Sequence, residues 1–173
     1  MRKLALIGVL AVIIGVTAAV FFFGGFYSVA GTAEDPALVR WALVQVRIAS
    51  IKRHAQDQPP AGLDDPAKIQ AGARAFAEHG CANCHGAPGV NWAKFSEGLR
   101  PDPPDLKEVV GYQTPAQLFW VIKNGINMTG IPSFALAGAK DEDIWSIAAF
   151  LKALPSVSEA DYKTWTTPPA VAQ

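Results

Sequence analysis

The sequence predicts an all-α protein in which one membrane-spanning helix precedes a small helical domain. An uncharged run from Leu4 to Gly31 is long enough for the membrane helix, and capped apolar segments after residue 62 are typical of the domain. Stretches rich in proline and glycine separate these segments. We divide the chain into an N-terminal anchor (1–33), an apolar helix with its linker (34–62), a helical domain (63–155) and a C-terminal tail (156–173).

The anchor is predicted from length and flanking charge. The 28 residues from Leu4 to Gly31 would form a helix of about 42 Å, which exceeds the hydrocarbon thickness of about 30 Å. Arg2 and Lys3 predict a cytoplasmic N-terminus, which leaves the rest of the chain outside. Ser28-Val29-Ala30 could serve as the cleavage site of a signal peptide, but the long apolar run favours an uncleaved anchor. Aromatic residues would form an interfacial belt at its far end: Phe21, Phe22, Phe23, Phe26 and Tyr27.

A second, unusually apolar helix is predicted from Pro36 to about Gln56, where a Pro/Gly run ends it. Arg40, Arg47 and His54 recur every seven residues on it, and nearly every other position up to residue 51 is apolar. Two interpretations are open. The helix lies on the membrane surface with its arginines near lipid headgroups, or it docks on a partner membrane subunit that covers its apolar surface.

The strongest chemical signal is the motif Cys81-Ala82-Asn83-Cys84-His85. Its spacing is that of covalent haem attachment, in which two thiols add to the porphyrin vinyl groups and the adjacent histidine binds iron. A structural zinc site would need four ligands, whereas the chain has two cysteines and three histidines. A thioredoxin-like pair would need a βαβ setting, and the segments around the motif are predicted helices and loops.

Three helices are predicted in the domain. The first covers Ala67 to His79, the second runs from Pro115 to Asn124 behind a capping box, and the last begins at Asp141 and stops at Leu154-Pro155. We expect Trp145 and Phe150 of the last helix to pack on the first. The run from Gly86 to Gly111 is predicted as loop, and the tail, with one helical turn at 158–161, is expected on the surface.

Gly72-Ala73-Arg74-Ala75-Phe76, followed by the haem motif and Gly86, resembles the N-terminal helix and haem site of class I c-type cytochromes. The resemblance extends over roughly Leu63 to Leu154. It implies a domain wrapped around one covalently bound haem c, in which the glycine and the aromatic residue cross a C-terminal helix.

The remaining iron ligand is predicted to be Met128, the only methionine besides the initiator. His54 and His79 are the other candidates, but His79 is too near the motif and His54 belongs to the preceding helix. The resemblance places an axial methionine in a Gly/Pro loop before the last helix, where Met128 lies.

The resemblance also implies that a carbonyl of the proline run, from Pro103 or Pro104, accepts a hydrogen bond from the axial histidine. The alternative is that the proline run is only a rigid turn. Three aromatic residues are candidate donors to the haem propionates, or else plain packing residues: Trp92, Tyr112 and Trp120.

The predicted function is electron transfer rather than catalysis, since iron bound by both His85 and Met128 has no open position for a substrate. The resemblance implies a membrane-anchored carrier on the outer face of the bacterial inner membrane, which exchanges electrons with a membrane redox complex. The alternatives are an integral subunit of such a complex (a haem–copper oxidase, nitric oxide reductase or periplasmic dehydrogenase) or a haem sensor or peroxidase. Eight basic and ten acidic residues between 64 and 154 give a charge of −2, which argues against a nucleic-acid partner.

Overall fold

The computed structural model describes residues 2–167, and the regular elements within that range are helical. The chain divides between Asp35 and Pro36 into two compact units, which are described separately. Between residues 2 and 167, eight α-helices follow one another: α1 (Arg2–Phe23), α2 (Ala37–His54), α3 (Pro66–Glu78), α4 (Ala82–His85), α5 (Leu106–Val109), α6 (Pro115–Asn124), α7 (Asp141–Ala153) and α8 (Glu159–Thr166).

The first unit consists of α1 and the segment after it. The 22 residues of α1 are apolar and long enough to cross a membrane, and none of its side chains is buried within the protein. The helix ends at Phe23, so the expectation of a helix throughout Leu4 to Gly31 is wrong at its far end. The cause is Gly24-Gly25, because Gly25 adopts a positive φ of 78° that ends an α-helix readily. Aromatic rings do gather there, with the Phe22 and Tyr27 centroids 5.2 Å apart.

The core of the second unit is the crossing of α3 and α7. At the crossing point, a Cβ atom added to Gly72 would overlap the carbonyl oxygen of Ser146 and come within 2.8 Å of the Phe150 Cβ. One turn further along α3, Phe76 packs on Phe150 with ring centroids 5.3 Å apart, and both side chains are buried. The expected crossing of the glycine and the aromatic residue against the last helix is therefore found.

Helix α6 begins and ends where the sequence predicts. Its capping box is formed in both directions: the Gln117 backbone N–H donates to Thr114 Oγ1 at 3.2 Å, and the Thr114 N–H donates to Gln117 Oε1 at 2.9 Å. Phe119 of α6 stacks on Trp145 of α7, with centroids 4.0 Å apart and planes 11° apart. Trp145 therefore packs on α6, a contact that the sequence does not predict, and it belongs to the same core cluster as Phe76 of α3.

The C-terminal segment is more than the single surface turn that the sequence predicts. Ser158 caps α8, a helix of two turns, and its hydroxyl accepts a hydrogen bond from the Asp161 backbone N–H. Tyr162 is only 3% exposed and stacks on Phe150. The expectation of a surface tail is wrong for this residue, since burying an aromatic side chain removes a large apolar area from water. Residues 168–173 lie outside the described part of the chain.

Within the second unit, helix α2 packs on α6 near its C-terminal end. Ile51 is buried, and the His54 ring stacks on Trp120 of α6 at a centroid distance of 6.0 Å. The helix ends at His54, two residues before the predicted end. The predicted loop between Gly86 and Gly111 also contains two short helical segments, the 3₁₀ turn Lys94–Gly98 and α5.

We expect Gly72→Ala to lower the free energy of unfolding by about 2 kcal/mol, because the added methyl group would force α3 and α7 apart. Urea denaturation of the purified full-length chain in detergent, followed by tryptophan fluorescence, would measure the change. Gly98→Ala is the matched control, since a Cβ there meets no atom within 4 Å. Equal midpoints for the two variants would contradict the close approach at Gly72.

Candidate functional site

The motif Cys81 to His85 forms one turn of helix directly after α3. Gly80 adopts a φ of +72° and turns the chain, and the backbone N–H groups of Cys84 and His85 both donate to the Cys81 carbonyl, at 3.2 and 3.1 Å. Gly86 ends this turn with a φ of +67°, and a Cβ there would lie 3.0 Å from the Val90 carbonyl oxygen. The two glycines therefore hold both thiols and the imidazole on a single rigid turn.

The imidazole of His85 is oriented by the proline run. Its Nδ1 donates to the carbonyl oxygen of Pro104 at 3.0 Å, so that Pro104, rather than Pro103, is the acceptor. The next residue, Asp105, caps α5 by accepting from the Lys107 N–H at 2.8 Å, which anchors this part of the run. Because Nδ1 carries the proton of that bond, Nε2 keeps a free lone pair, as a metal-binding imidazole requires.

Burial favours the neutral form of this imidazole. It lowers the pKa of His85 below the ordinary histidine value, and the hydrogen bond to Pro104 opposes that shift only in part. Since the ordinary value is itself near 6.5, His85 is neutral at pH 7. A neutral imidazole is the form that binds iron.

A cavity of about 680 Å³ lies next to the motif. Its volume falls within the range of cofactor and ligand sites. Two thiols on one turn and a neutral, oriented imidazole are the donor set that haem c uses, and these residues therefore fit that group. The lining includes Cys84, His85, Trp92, Pro103, Pro104 and Leu154.

The two thiols differ in their surroundings, because Cys84 lines the cavity whereas Cys81 does not and packs against the hydrophobic core. Burial is the main reason that the pKa of Cys81 rises to about 12, with the neighbouring Cys84 adding to the shift. Cys81 is therefore a neutral thiol at pH 7, which is compatible with its apolar surroundings. Burial also raises the pKa of the Tyr162 phenol, and Cys81 adds to that shift. Sequence reasoning missed Tyr162 as a neighbour of the motif, although the Ser158 cap and the spacing of Tyr162 and Trp165 hinted at a packed helix.

Met128 does not line the cavity. Its side chain is 78% exposed, at the tip of a loop between α6 and α7. The loop is closed by the Thr129 hydroxyl, which donates to the Ile126 carbonyl at 2.8 Å. Met128 has a φ of +60°, the one non-glycine residue between 2 and 167 with a positive φ, and such backbone conformations are concentrated at functional sites.

The same loop contacts a residue close to the cavity. A Cβ atom added to Gly130 would lie 3.0 Å from Leu99 Cδ1, and Leu99 stands in the chain between Glu97 and Arg100, which line the cavity, although Leu99 itself does not. The Met128 loop is thus adjacent to the cavity rim, although the methionine side chain is turned to solvent.

Of the other aromatic and histidine candidates, one lines the cavity and the rest lie elsewhere in the second unit. Trp92 lines the cavity, whereas Tyr112 and Trp120 do not, and Trp120 instead stacks on His54. His79 packs edge-on against Phe134 at 5.7 Å. Packing therefore accounts for His54, His79 and Trp120, and of these aromatic candidates Trp92 is the one placed to contact a group bound in the cavity.

Comparison with known protein families identifies the domain. Residues 67–151 match the sequence model of the family described as "Cytochrome C oxidase, cbb3-type, subunit III". No curated protein and no solved structure matches the chain. The matched segment runs from the start of α3 into the end of α7, and so contains the haem motif, the crossing helices and the cavity lining apart from Leu154. The chain therefore contains a class I c-type cytochrome domain, a haem domain of the kind that transfers electrons.

Proposed function

We propose that the protein is a membrane-anchored monohaem cytochrome c that carries single electrons on the outer face of the bacterial inner membrane. The observation that carries the proposal is His85, whose imidazole is held by Pro104 at a cavity of suitable size and on the same turn as two thiols. The apolar helix α1 supports the anchor, and Arg2 and Lys3 support a cytoplasmic N-terminus. The domain would then lie in the periplasm, within reach of a membrane redox complex.

Each residue of the site has one role in this proposal. Cys81 and Cys84 would hold one haem by adding their thiols to its two vinyl groups, and His85 would bind the iron through Nε2. The Pro104 carbonyl keeps the imidazole ring in one orientation and strengthens it as a donor. When bound, the haem supplies an iron atom that alternates between the ferrous and ferric states.

Met128 would complete the set as the second protein ligand to the iron. The positive φ of this residue and the contact of its loop with Leu99 support the assignment, and binding would require the exposed side chain to turn toward the cavity. Thioether sulfur is a soft donor that favours ferrous iron and raises the reduction potential. Iron held by both His85 and Met128 would offer oxygen and peroxide no site of attack, and the proposed role is therefore electron transfer without bond chemistry.

A second candidate function is that of a fixed subunit in a larger oxidase complex. The family description, which names a subunit of a cbb3-type cytochrome c oxidase, favours it, as does the exposed apolar surface of α2. A haem sensor or peroxidase is the third alternative, and it would require that the Met128 position stay open.

Replacing both Cys81 and Cys84 by serine should abolish covalent haem attachment. The peroxidase activity of haem on a denaturing gel would follow the polypeptide of the wild type and be absent from the double variant. Asn83→Ala, which alters the motif but keeps both thiols, is the control and should retain the stain. Haem that separates from the denatured wild type would contradict the proposal.

Met128→Ala should abolish the weak far-red absorption band of methionine-ligated ferric haem and lower the reduction potential, because the soft ligand is lost. Leu136→Ala is the control, since Leu136 is an exposed apolar residue of the same connection between α6 and α7. Absorption spectroscopy and a redox titration would measure both effects. A high-spin ferric spectrum of the wild type would refute the carrier and favour the sensor or peroxidase.

Purification in mild detergent should separate the carrier from the fixed subunit. A carrier is expected to elute without stoichiometric partner subunits, because its contacts with redox partners are brief. Size-exclusion chromatography followed by identification of co-eluting polypeptides would test this. Constant stoichiometry with oxidase subunits across repeated purifications would establish the second candidate instead.

A further inference from the structure

Helix α2 carries a line of exposed side chains along its outer side. At 100° per residue, Leu38, Trp41, Gln45 and Ile48 fall within an arc of about 80°. We call these four residues the outer stripe; all are exposed, with Leu38 at 74% and Trp41 at 61%. Leu43 and Val46 are also exposed but lie on other sides of the helix. Three of the four residues of the outer stripe are apolar, and one of these three is a tryptophan, a side chain enriched at membrane interfaces.

The charge of α2 is entirely positive. The helix contains Arg40, Arg47, Lys52 and Arg53 but no aspartate or glutamate, so that it carries +4 in a chain whose net charge is zero. Arg40 and Arg53 flank the outer stripe on its two sides, at about 120° and 100° from its centre. Long basic side chains beside an apolar stripe can place their charges at lipid phosphates while the stripe enters the interface.

The chain itself keeps α2 near a bilayer. Thirteen residues, 24–36, separate α1 from α2. Even fully extended they span at most about 47 Å, so α2 cannot leave the neighbourhood of the membrane in which α1 is anchored. Its effective concentration at the lipid surface is therefore high, and each basic residue near an anionic surface adds to the attraction.

We propose that α2 binds the surface of an anionic bilayer through the outer stripe, with Arg40, Lys52 and Arg53 at the lipid phosphates. The proposal rests on the anchoring of α1 described above. Because Ile51 and the stacked His54 fix the end of α2 to α6, this contact would hold the haem domain in one orientation to the membrane. The favoured occupant is lipid rather than protein because the uniform positive charge matches anionic headgroups and the tether holds α2 next to them.

The test uses the full-length, haem-loaded chain in nanodiscs, with a spin label at Trp41→Cys. The label at position 41 is expected to become accessible to oxygen and protected from a water-soluble nickel complex in nanodiscs that contain phosphatidylglycerol. The control is Leu136→Cys, which replaces a side chain that is 92% exposed and should stay accessible to water. The wild-type chain, labelled in parallel, corrects for any reaction at Cys81 or Cys84, so that failed haem attachment is recorded separately.

Two outcomes would overturn the proposal. In the first, positions 41 and 136 are equally accessible to water in the anionic nanodiscs. A label at Ile13→Cys, within α1, then shows whether the anchor has failed as well. In the second, position 41 is accessible in nanodiscs but protected in native membranes, which would identify a protein partner as the occupant.

The variant Arg40→Gln/Arg53→Gln tests whether the contact requires positive charge. Protection at position 41 should be lost in this variant. Unchanged protection would contradict a role for anionic lipid.

Discussion

The close contact of α3 with α7 at Gly72 is the constraint on which the rest of the domain depends. The backbone of Ser146 occupies the space that a side chain at Gly72 would need, so the two helices approach as closely as their main chains allow. Phe76 then reaches Phe150, and α3 leads directly into the turn that carries Cys81, Cys84 and His85. The position of the haem motif is therefore set by a helix crossing that lies two turns earlier in the chain.

A single side-chain hydrogen bond links the haem motif to the proline run on the other side of the cavity. The His85 Nδ1–H donates to Pro104, nineteen residues further along, and Asp105 fixes this carbonyl by capping α5. On the far side of the loop, Lys152 of α7 donates to the Val110 carbonyl at 2.5 Å and to the Gln113 carbonyl at 3.2 Å. The segment that follows the proline run is thus held by the Asp105 cap and by Lys152, which helps to keep the carbonyl acceptor of the imidazole in place.

The sequence predicts the elements whose signals are local. Thr114 and Gln117 form their capping box, and α6 has its predicted bounds, because such caps depend only on neighbouring residues. The spacing of Cys81, Cys84 and His85 likewise marks the haem turn without reference to the fold. Gly24-Gly25 is also a local signal for the end of α1. The continuous hydropathy of the run from Leu4 to Gly31 nevertheless predicts a longer helix.

Features that depend on distant packing were not predictable in the same way. Trp145 and Phe150 occupy one apolar stripe of α7, and only the fold shows that α6 covers the first while α3 and α8 cover the second. The burial of Tyr162 has the same origin. Met128 differs again: the resemblance suggests its role as a ligand, and its positive φ and the contact of its loop with Leu99 support that role, although its side chain faces solvent.

The central claim is that His85 and Met128 bind one iron atom and leave it no open position. Extended X-ray absorption at the iron edge of the oxidised, purified protein tests it most directly, because sulfur and nitrogen ligands differ in distance and scattering. The account predicts five nitrogen ligands, four from the porphyrin and one from His85, together with a single sulfur. A first shell that contains five ligands, or a sixth ligand of oxygen or nitrogen, would contradict it.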